Sequence, residues 1–226
     1  MVTERELAEI TRTQIELQDK FRKVPAEGKI VSYLGKEFIV HRGVFWPHPD
    51  SMPLVENYRI ELGESVLDVC TGSGVLAIFS AYKRAGKVVA LDKNPEAVRA
   101  ARENAARHGF ATTIDVRLSY MFGALSREET FDVITGNLPF RNKEAADRVE
   151  ASMWDTNLSA HRRFFQSVEE HLNPNGRIYL SHANYGAVDE MKAMAAARGF
   201  TVQLIGEKPI EGTPRIFYAF ELRKIV

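Results

Sequence analysis

The sequence predicts an α/β domain on a mostly parallel sheet with helices on both faces, and three observations carry that prediction. From about residue 60, apolar strand runs alternate with helix patterns as far as residue 198, as βαβ units require. Two further strand runs, at 200–205 and 216–222, flank the turn-rich stretch 207–214 and read as an antiparallel hairpin that ends the sheet. Finally, 226 residues with 45% hydrophobic content suffice for one such domain with a full core and a small appendage.

Taken in order, residues 3–24 carry Leu7, Ile10, Leu17, Phe21 and Val24 at helical spacing with charges between them. Pro25-Ala26-Glu27-Gly28 breaks that helix, so 1–28 is set apart as an amino-terminal amphipathic helix and 29–226 as the main domain. Packing on the sheet is the expected use of its apolar stripe, ahead of covering the site or forming a dimer seam. A β-hairpin around Leu34-Gly35-Lys36 follows, then a Pro-rich turn at 47–49 and a helix capped by Ser51. Residues 64–78 read as an apolar strand, a Gly turn and a helix start, and Lys87–Asp92 as the next strand. Asn94 then serves as N-cap, Pro95 as first helical residue and Ala97–Ala105 as helix. The strand Phe131–Gly136 stops at Asn137 and Pro139, and a loop from Arg141 to Asn157 is long enough to be functional. Gly176–Ser181 is a strand and Val188–Arg198 a helix.

Thirty basic and thirty acidic side chains give zero net charge, which argues against broad nucleic-acid binding. Arg141, Lys143, Arg148, Arg162 and Arg163 are interleaved with Glu144, Asp147, Glu150 and Asp155, as on a mixed solvated face. The single Cys70, expected to be buried, allows no intramolecular disulfide and suits a reducing cytosol. With neither a signal peptide nor a spanning stretch, the expectation is a soluble cytoplasmic protein, a monomer or homodimer, without a membrane partner. No histidine has the spacing of a metal ligand.

The chemistry concentrates at strand ends. Gly72 and Gly74 let backbone approach a ligand after the strand that carries Asp68. Gly72-x-Gly74-x-x-Ala77 also fits a dinucleotide loop, which keeps a nicotinamide-dependent oxidoreductase open. Asp92 ends its strand as a carboxylate able to accept both hydroxyls of a ribose. Asn137-Leu138-Pro139-Phe140 presents an amide, a carbonyl and an aromatic ring at the sheet's carboxyl edge, a set that suits a planar NH2.

That tetrapeptide resembles the Asn-Pro-Pro-Tyr/Phe motif of amino-group methyltransferases that use S-adenosylmethionine, with Leu138 in place of the first proline as in rRNA adenine dimethylases. Asp68 before the Gly turn, the Asp92-x-Asn94-Pro95 helix start, and Phe45-Trp46-Pro47-His48-Pro49-Asp50-Ser51 after Gly35-x-x-Phe38-x-Val40 add three more motifs in the right order. Together these resemble the catalytic domain of release-factor glutamine (HemK-like) methyltransferases, with departures at His48 and Ser51. The resemblance implies a Rossmann-like class I fold whose seven-stranded sheet ends in an antiparallel strand. It also implies methyl transfer to a planar amide or exocyclic amino nitrogen, with S-adenosylhomocysteine as product. Asp68, Thr71, Gly72, Gly74 and Asp92 would bind the cofactor, Phe45 and Pro47 would cover it, and Asp50 and Ser51 would sit near its methionine end. Asn137 and the Leu138 carbonyl would orient the nucleophile and Phe140 would stack. Ser119 or Tyr120 would face adenine, although relatives place an acidic residue where Tyr120 stands. Trp46 and Trp154 are expected as pocket walls; His161 is a candidate polar contact, with a water-facing position in a first helical turn the more expected one. The acceptor could be a protein side-chain amide, a nucleobase or a small molecule. The roughly thirty leading residues are too few for the helical bundle of release-factor enzymes, which counts against a release factor as acceptor. A small-molecule O- or N-methyltransferase and a non-catalytic cofactor-binding module are the other readings.

Overall fold

The computed structural model describes residues 2–225. Helix α1 (Glu4–Arg22) opens on a reciprocal cap in which Thr3 Oγ1 accepts from the Glu6 N–H and the Glu6 carboxylate accepts from the Thr3 N–H. Strands β1 (Lys29–Tyr33) and β2 (Lys36–Val40) pair antiparallel across Leu34-Gly35, whose two positive φ angles (49° and 72°) make the tight turn that suits a twisted hairpin. A single turn at Pro49–Ser51 leads into α2 (Met52–Asn57). Ser51 does not cap that helix as expected, because its backbone is already helical and its hydroxyl is committed to Tyr33 Oη and the His48 carbonyl.

Strands β3 (Ser65–Val69), β4 (Lys87–Asp92), β5 (Ile114–Leu118), β6 (Phe131–Gly136), β7 (Leu172–Ala183), β8 (Phe200–Pro209) and β9 (Ile216–Lys224) form one sheet in the order β5-β4-β3-β6-β7-β9-β8. The first five in that order run parallel, and β9 and β8 run antiparallel to their neighbours. Val66, Leu67, Val69, Val88, Val89, Leu91, Val133 and Ile134 are all buried, as a parallel sheet with both faces covered demands. One core lies under α2, α3 (Val75–Tyr82), α4 (Pro95–Arg107) and the hairpin, the other under α5 (Ser159–Ser167) and α6 (Val188–Ala197). Buried Asn104 on α4 ties these parts together by donating to the Ser73 and Ile39 carbonyls and accepting from the Ile39 N–H. The expected alternation and closing hairpin are therefore present, and the strand order reverses between the parallel neighbours β3 and β6, where open α/β sheets form their ligand crevice.

The placement of α1 differs from expectation. It does not lie on the sheet but spans the crevice, with Phe21 against Phe45 and Trp46 at 5.5 Å from each ring and Gln14 bonded to Arg141 and Trp154. The reason is that its inner face is part polar: Gln14 and Gln18 are buried beside Ile10 and Phe21.

Candidate functional site

Register puts the two halves of the site side by side. Val69 pairs with Gly136, so Cys70 and Asn137 leave adjacent strands at the same level. In the loop after β3, Cys70 (φ 59°), Gly72 (φ 55°) and Gly74 (φ 87°) are left-handed, which turns the chain sharply into α3. Cys70 is half-buried and lines the cleft rather than being sealed in the core, because that turn rotates it out of the strand. Asp68 is buried; its oxygens accept from Thr71 Oγ1 at 2.6 Å and Thr135 Oγ1 at 2.8 Å, and burial pushes its carboxyl up to about 7. Asp68 thus braces the loop from below. Asp92 accepts from the Gly72 N–H at 2.9 Å through one oxygen and from the Asn94 N–H at 2.8 Å through the other, and burial again raises it. Each Asp92 oxygen keeps a lone pair at the cleft wall, where vicinal hydroxyls would find a bidentate acceptor.

The other half is built from β6 and the segment before α2. Asn137 Nδ2 donates to Asp50 Oδ2 at 2.8 Å, while Asp50 Oδ1 accepts from the Ser51 N–H at 2.9 Å. Burial pushes the Asp50 carboxyl up to about 7 against the pull of these bonds. Among the described residues nothing donates to Asn137 Oδ1 or to the Leu138 carbonyl, so two acceptors at the end of β6 are uncommitted. Phe140 is buried against His182 and Tyr185, and its carbonyl accepts from the Ala187 N–H. His48 stands between the Phe45 and Phe217 rings, and burial pushes it down to about 4, so it is neutral near pH 7. This corner can hold a planar NH2 against two oxygens and an aromatic ring.

A single cleft at the carboxyl edge brings together Phe45, Trp46, Pro47, Asp50, Ser51, Asp68, Thr71, Gly72, Gly74's neighbours, Asp92, Ser119, Tyr120 and Asn137–Phe140. Trp154 and His161 do not line it. Trp154 is 3% exposed, donates from Nε1 to Gln14 Oε1 and carries Lys143 Nζ over its ring at 3.6 Å. His161 is 1% exposed rather than water-facing, because Asp155 receives its Nδ1 at 2.9 Å as well as the Ala160 and His161 N–H groups. Burial works against the Asp155 charge, but those donors hold its carboxyl below the usual range. Arg141 is likewise buried, not part of a solvated charged face, and donates to Gln14 Oε1 and Thr11 Oγ1. Ser119 spends its hydroxyl on the Met121 carbonyl and the Ala124 N–H, which shapes the loop after β5. Tyr120 is 46% exposed at the rim, with the Arg163 guanidinium over its ring at 4.8 Å.

Sequence reasoning missed Thr13, Gln14 and Leu17 of α1, and Tyr185, Arg215 and Phe217 on the opposite rim. Glutamines at i and i+4 on an apolar helix stripe were the one available signal for the first group; the second lies on segments whose proximity only the sheet order creates. Among the described residues no His, Cys, Asp and Glu side chains cluster as a metal site, and no helix is long and apolar enough to cross a membrane.

Comparisons with known proteins bear on the family and the fold. The model for ribosomal protein L11 methyltransferase matches residues 51–139, the stretch from Ser51 to Pro139 that contains both loops. A release factor glutamine methyltransferase of Cereibacter sphaeroides is 33% identical over 68% of this chain, and one of Koribacter versatilis is 30% identical over 78%. The chain spans 60% of the length of the first and 71% of the second. A 16S rRNA N2 methyltransferase of T. thermophilus, solved in complex with AdoMet and guanosine, shares the fold with a TM-score of 0.63 at 20% identity, over 88% of this chain and 50% of that one.

Proposed function

We propose, from the premise that this chain belongs to the release factor glutamine methyltransferase family, that it transfers the methyl group of S-adenosylmethionine to the nitrogen of a side-chain carboxamide in a protein. The observation that carries this reading is the pairing of Asn137 Nδ2 with Asp50, which leaves Asn137 Oδ1 and the Leu138 carbonyl as two free acceptors at the end of β6.

The cleft residues fit the cofactor. Asp92 offers a bidentate oxygen pair to the ribose, the Gly72–Gly74 turn brings backbone close to the methionine end, and Phe45 and Pro47 cover the opposite side. Bound there, S-adenosylmethionine supplies an electrophilic methyl on sulfonium. The chain's task is to present the nucleophile. A carboxamide nitrogen is weak because its lone pair is delocalised into the carbonyl; accepting both of its N–H bonds at Asn137 Oδ1 and the Leu138 carbonyl pins the NH2 and lets that lone pair localise toward the methyl. Phe140 packs against the planar group; the nitrogen gains the methyl as the methyl–sulfur bond breaks, leaving S-adenosylhomocysteine, and its surplus proton passes to solvent. A nucleobase amine presents a similar NH2, but thirty basic and thirty acidic residues supply no excess of positive charge to follow a phosphate backbone.

Asn137→Ala removes one of the two acceptors. Turnover on a glutamine-containing peptide with labelled methyl donor is expected to fall about 100-fold or more, while calorimetric affinity for S-adenosylhomocysteine stays near wild type. Undiminished turnover in that variant would refute the assignment of Asn137.

A further inference from the structure

Gln14 sits on the inner face of α1, 4% exposed, at the roof of the cleft. Its amide has one possible orientation. The oxygen accepts from Arg141 Nη1 at 2.7 Å and from Trp154 Nε1 at 2.9 Å, and both of those groups can only donate. Gln14 Nε2 is therefore fixed as an NH2 donor, buried and without a partner among the described residues. A second lone donor lines the same cleft: Trp46 Nε1 is also buried and unpaired. Two fixed N–H groups without an acceptor are costly in a buried roof unless something supplies an oxygen to them.

The floor has the opposite deficit. Asn137 Oδ1 and the Leu138 carbonyl are acceptors without donors. Arg141, which holds Gln14, follows Phe140 directly in the chain, so the roof donor is tied to the same segment that carries the floor acceptors. A primary carboxamide has the complementary polarity, an NH2 at one end and a carbonyl oxygen at the other. We propose that α1 supplies the oxygen-recognising part of the acceptor site: Gln14 Nε2, joined by Trp46 Nε1, donates to the carbonyl oxygen of the carboxamide whose nitrogen is held at Asn137 and Leu138. The inference rests on the carboxamide reading above and adds the specificity-determining residues to it. Gln14 is then the group that distinguishes a carboxamide from an isosteric amidinium, which places N–H donors at both ends.

Gln14→Glu tests this, because the new carboxylate keeps an oxygen for Arg141 and Trp154 and replaces the Nε2 donor by a second acceptor. The probes are N-acetyl-Ala-Gln-Ala methylamide with labelled S-adenosylmethionine, and the same peptide with its side-chain carboxamide converted to an amidine. Wild type is expected to methylate the carboxamide and to ignore the amidine as an inhibitor. Gln14→Glu should lose about 10- to 100-fold in kcat/KM for the carboxamide, become competitively inhibited by the amidine, and keep its S-adenosylhomocysteine affinity. Trp46→Phe keeps an aromatic ring but removes Nε1 together with the fused pyrrole, so it should raise KM for the carboxamide and decides the matter if Gln14→Glu does not bind the product analogue. Wild-type turnover with an unchanged kcat/KM in both variants overturns this inference and leaves the carboxamide reading standing. No wild-type turnover on the peptide overturns that reading, and the inference with it.

Discussion

Asp50→Asn probes how the amide of Asn137 is held in its working orientation. Asp50 is 3% exposed, accepts from Asn137 Nδ2 at 2.8 Å, and is pushed up to about 7 by burial, with the bonds from Asn137 and the Ser51 N–H pulling the other way. Set against an ordinary value of 3.8, and at about 1.4 kcal/mol per pH unit, ionised Asp50 costs the fold roughly 4 kcal/mol. Because the folded value is raised, the native state holds the proton between 3.8 and about 7, so this group lowers stability as pH rises through that window and its penalty is complete above it. Below about 7 the carboxyl carries an O–H, which Asn137 can meet with Oδ1 by reversing its amide, turning NH2 into the cleft. Turnover should therefore rise through an apparent value near 7 in wild type. Asp50→Asn is neutral throughout: the rising limb disappears, kcat/KM at pH 8 falls about 10- to 100-fold for want of a charge-assisted hydrogen bond, and Tm at pH 8 rises. The assay is kcat/KM from pH 5.5 to 9 in both proteins. S-adenosylhomocysteine affinity over the same range separates the contribution of Asp68, whose carboxyl burial likewise pushes up to about 7 beneath the loop after β3. A limb near 7 that survives in the variant, or a flat profile in wild type, refutes the argument.

Two further expectations concern the frame of the site. Gly74→Ala forces an L residue to φ 87° with its Cβ 3.3 Å from Ala101, so it should cost about 1–2 kcal/mol, a Tm drop of roughly 2–8 °C in a thermal melt; an unchanged Tm contradicts the conformational argument. Glu129 is held down at about 2 by two bonds from Arg117, at 2.9 and 2.8 Å, a contribution present above its ordinary value of 4.5 and lost as pH falls toward about 2. Glu129→Gln should flatten the fall of the urea midpoint between pH 5 and 2, and an unaltered slope would show that the pair carries no acid sensitivity.

The sheet and the half of the candidate cleft built on β3 and β4 were legible because both are written locally. Lys87–Asp92, Asn94 with Pro95, and Phe131–Gly136 state their conformation within a few residues, and Asp92 and Asn137 inherit their places from the strand ends. The half roofed by α1 is written in pairs far apart in sequence. Arg141 reads as one charge among several until Gln14 and Thr11 surround it, and His161 reads as a solvated first-turn residue until Asp155 folds back on it. Gln14 and Gln18 look like the polar margin of an amphipathic helix, since periodicity locates an apolar stripe but does not tell a helix lying on a sheet from one lying across a cleft.

The hydrogen bonds that close the roof join residues 127, 130 and 140 positions apart. Seen as an order of assembly, loops of that length close late, after the local βα contacts of the sheet have formed. The chain can complete the crevice at the ends of β3 and β4 before α1 has anything to dock on, since Arg141 and Trp154 lie beyond β6. Helix α1, which precedes every strand of the sheet in the sequence, is then among the last elements to find its place, and its arrival is what closes the roof over the cleft.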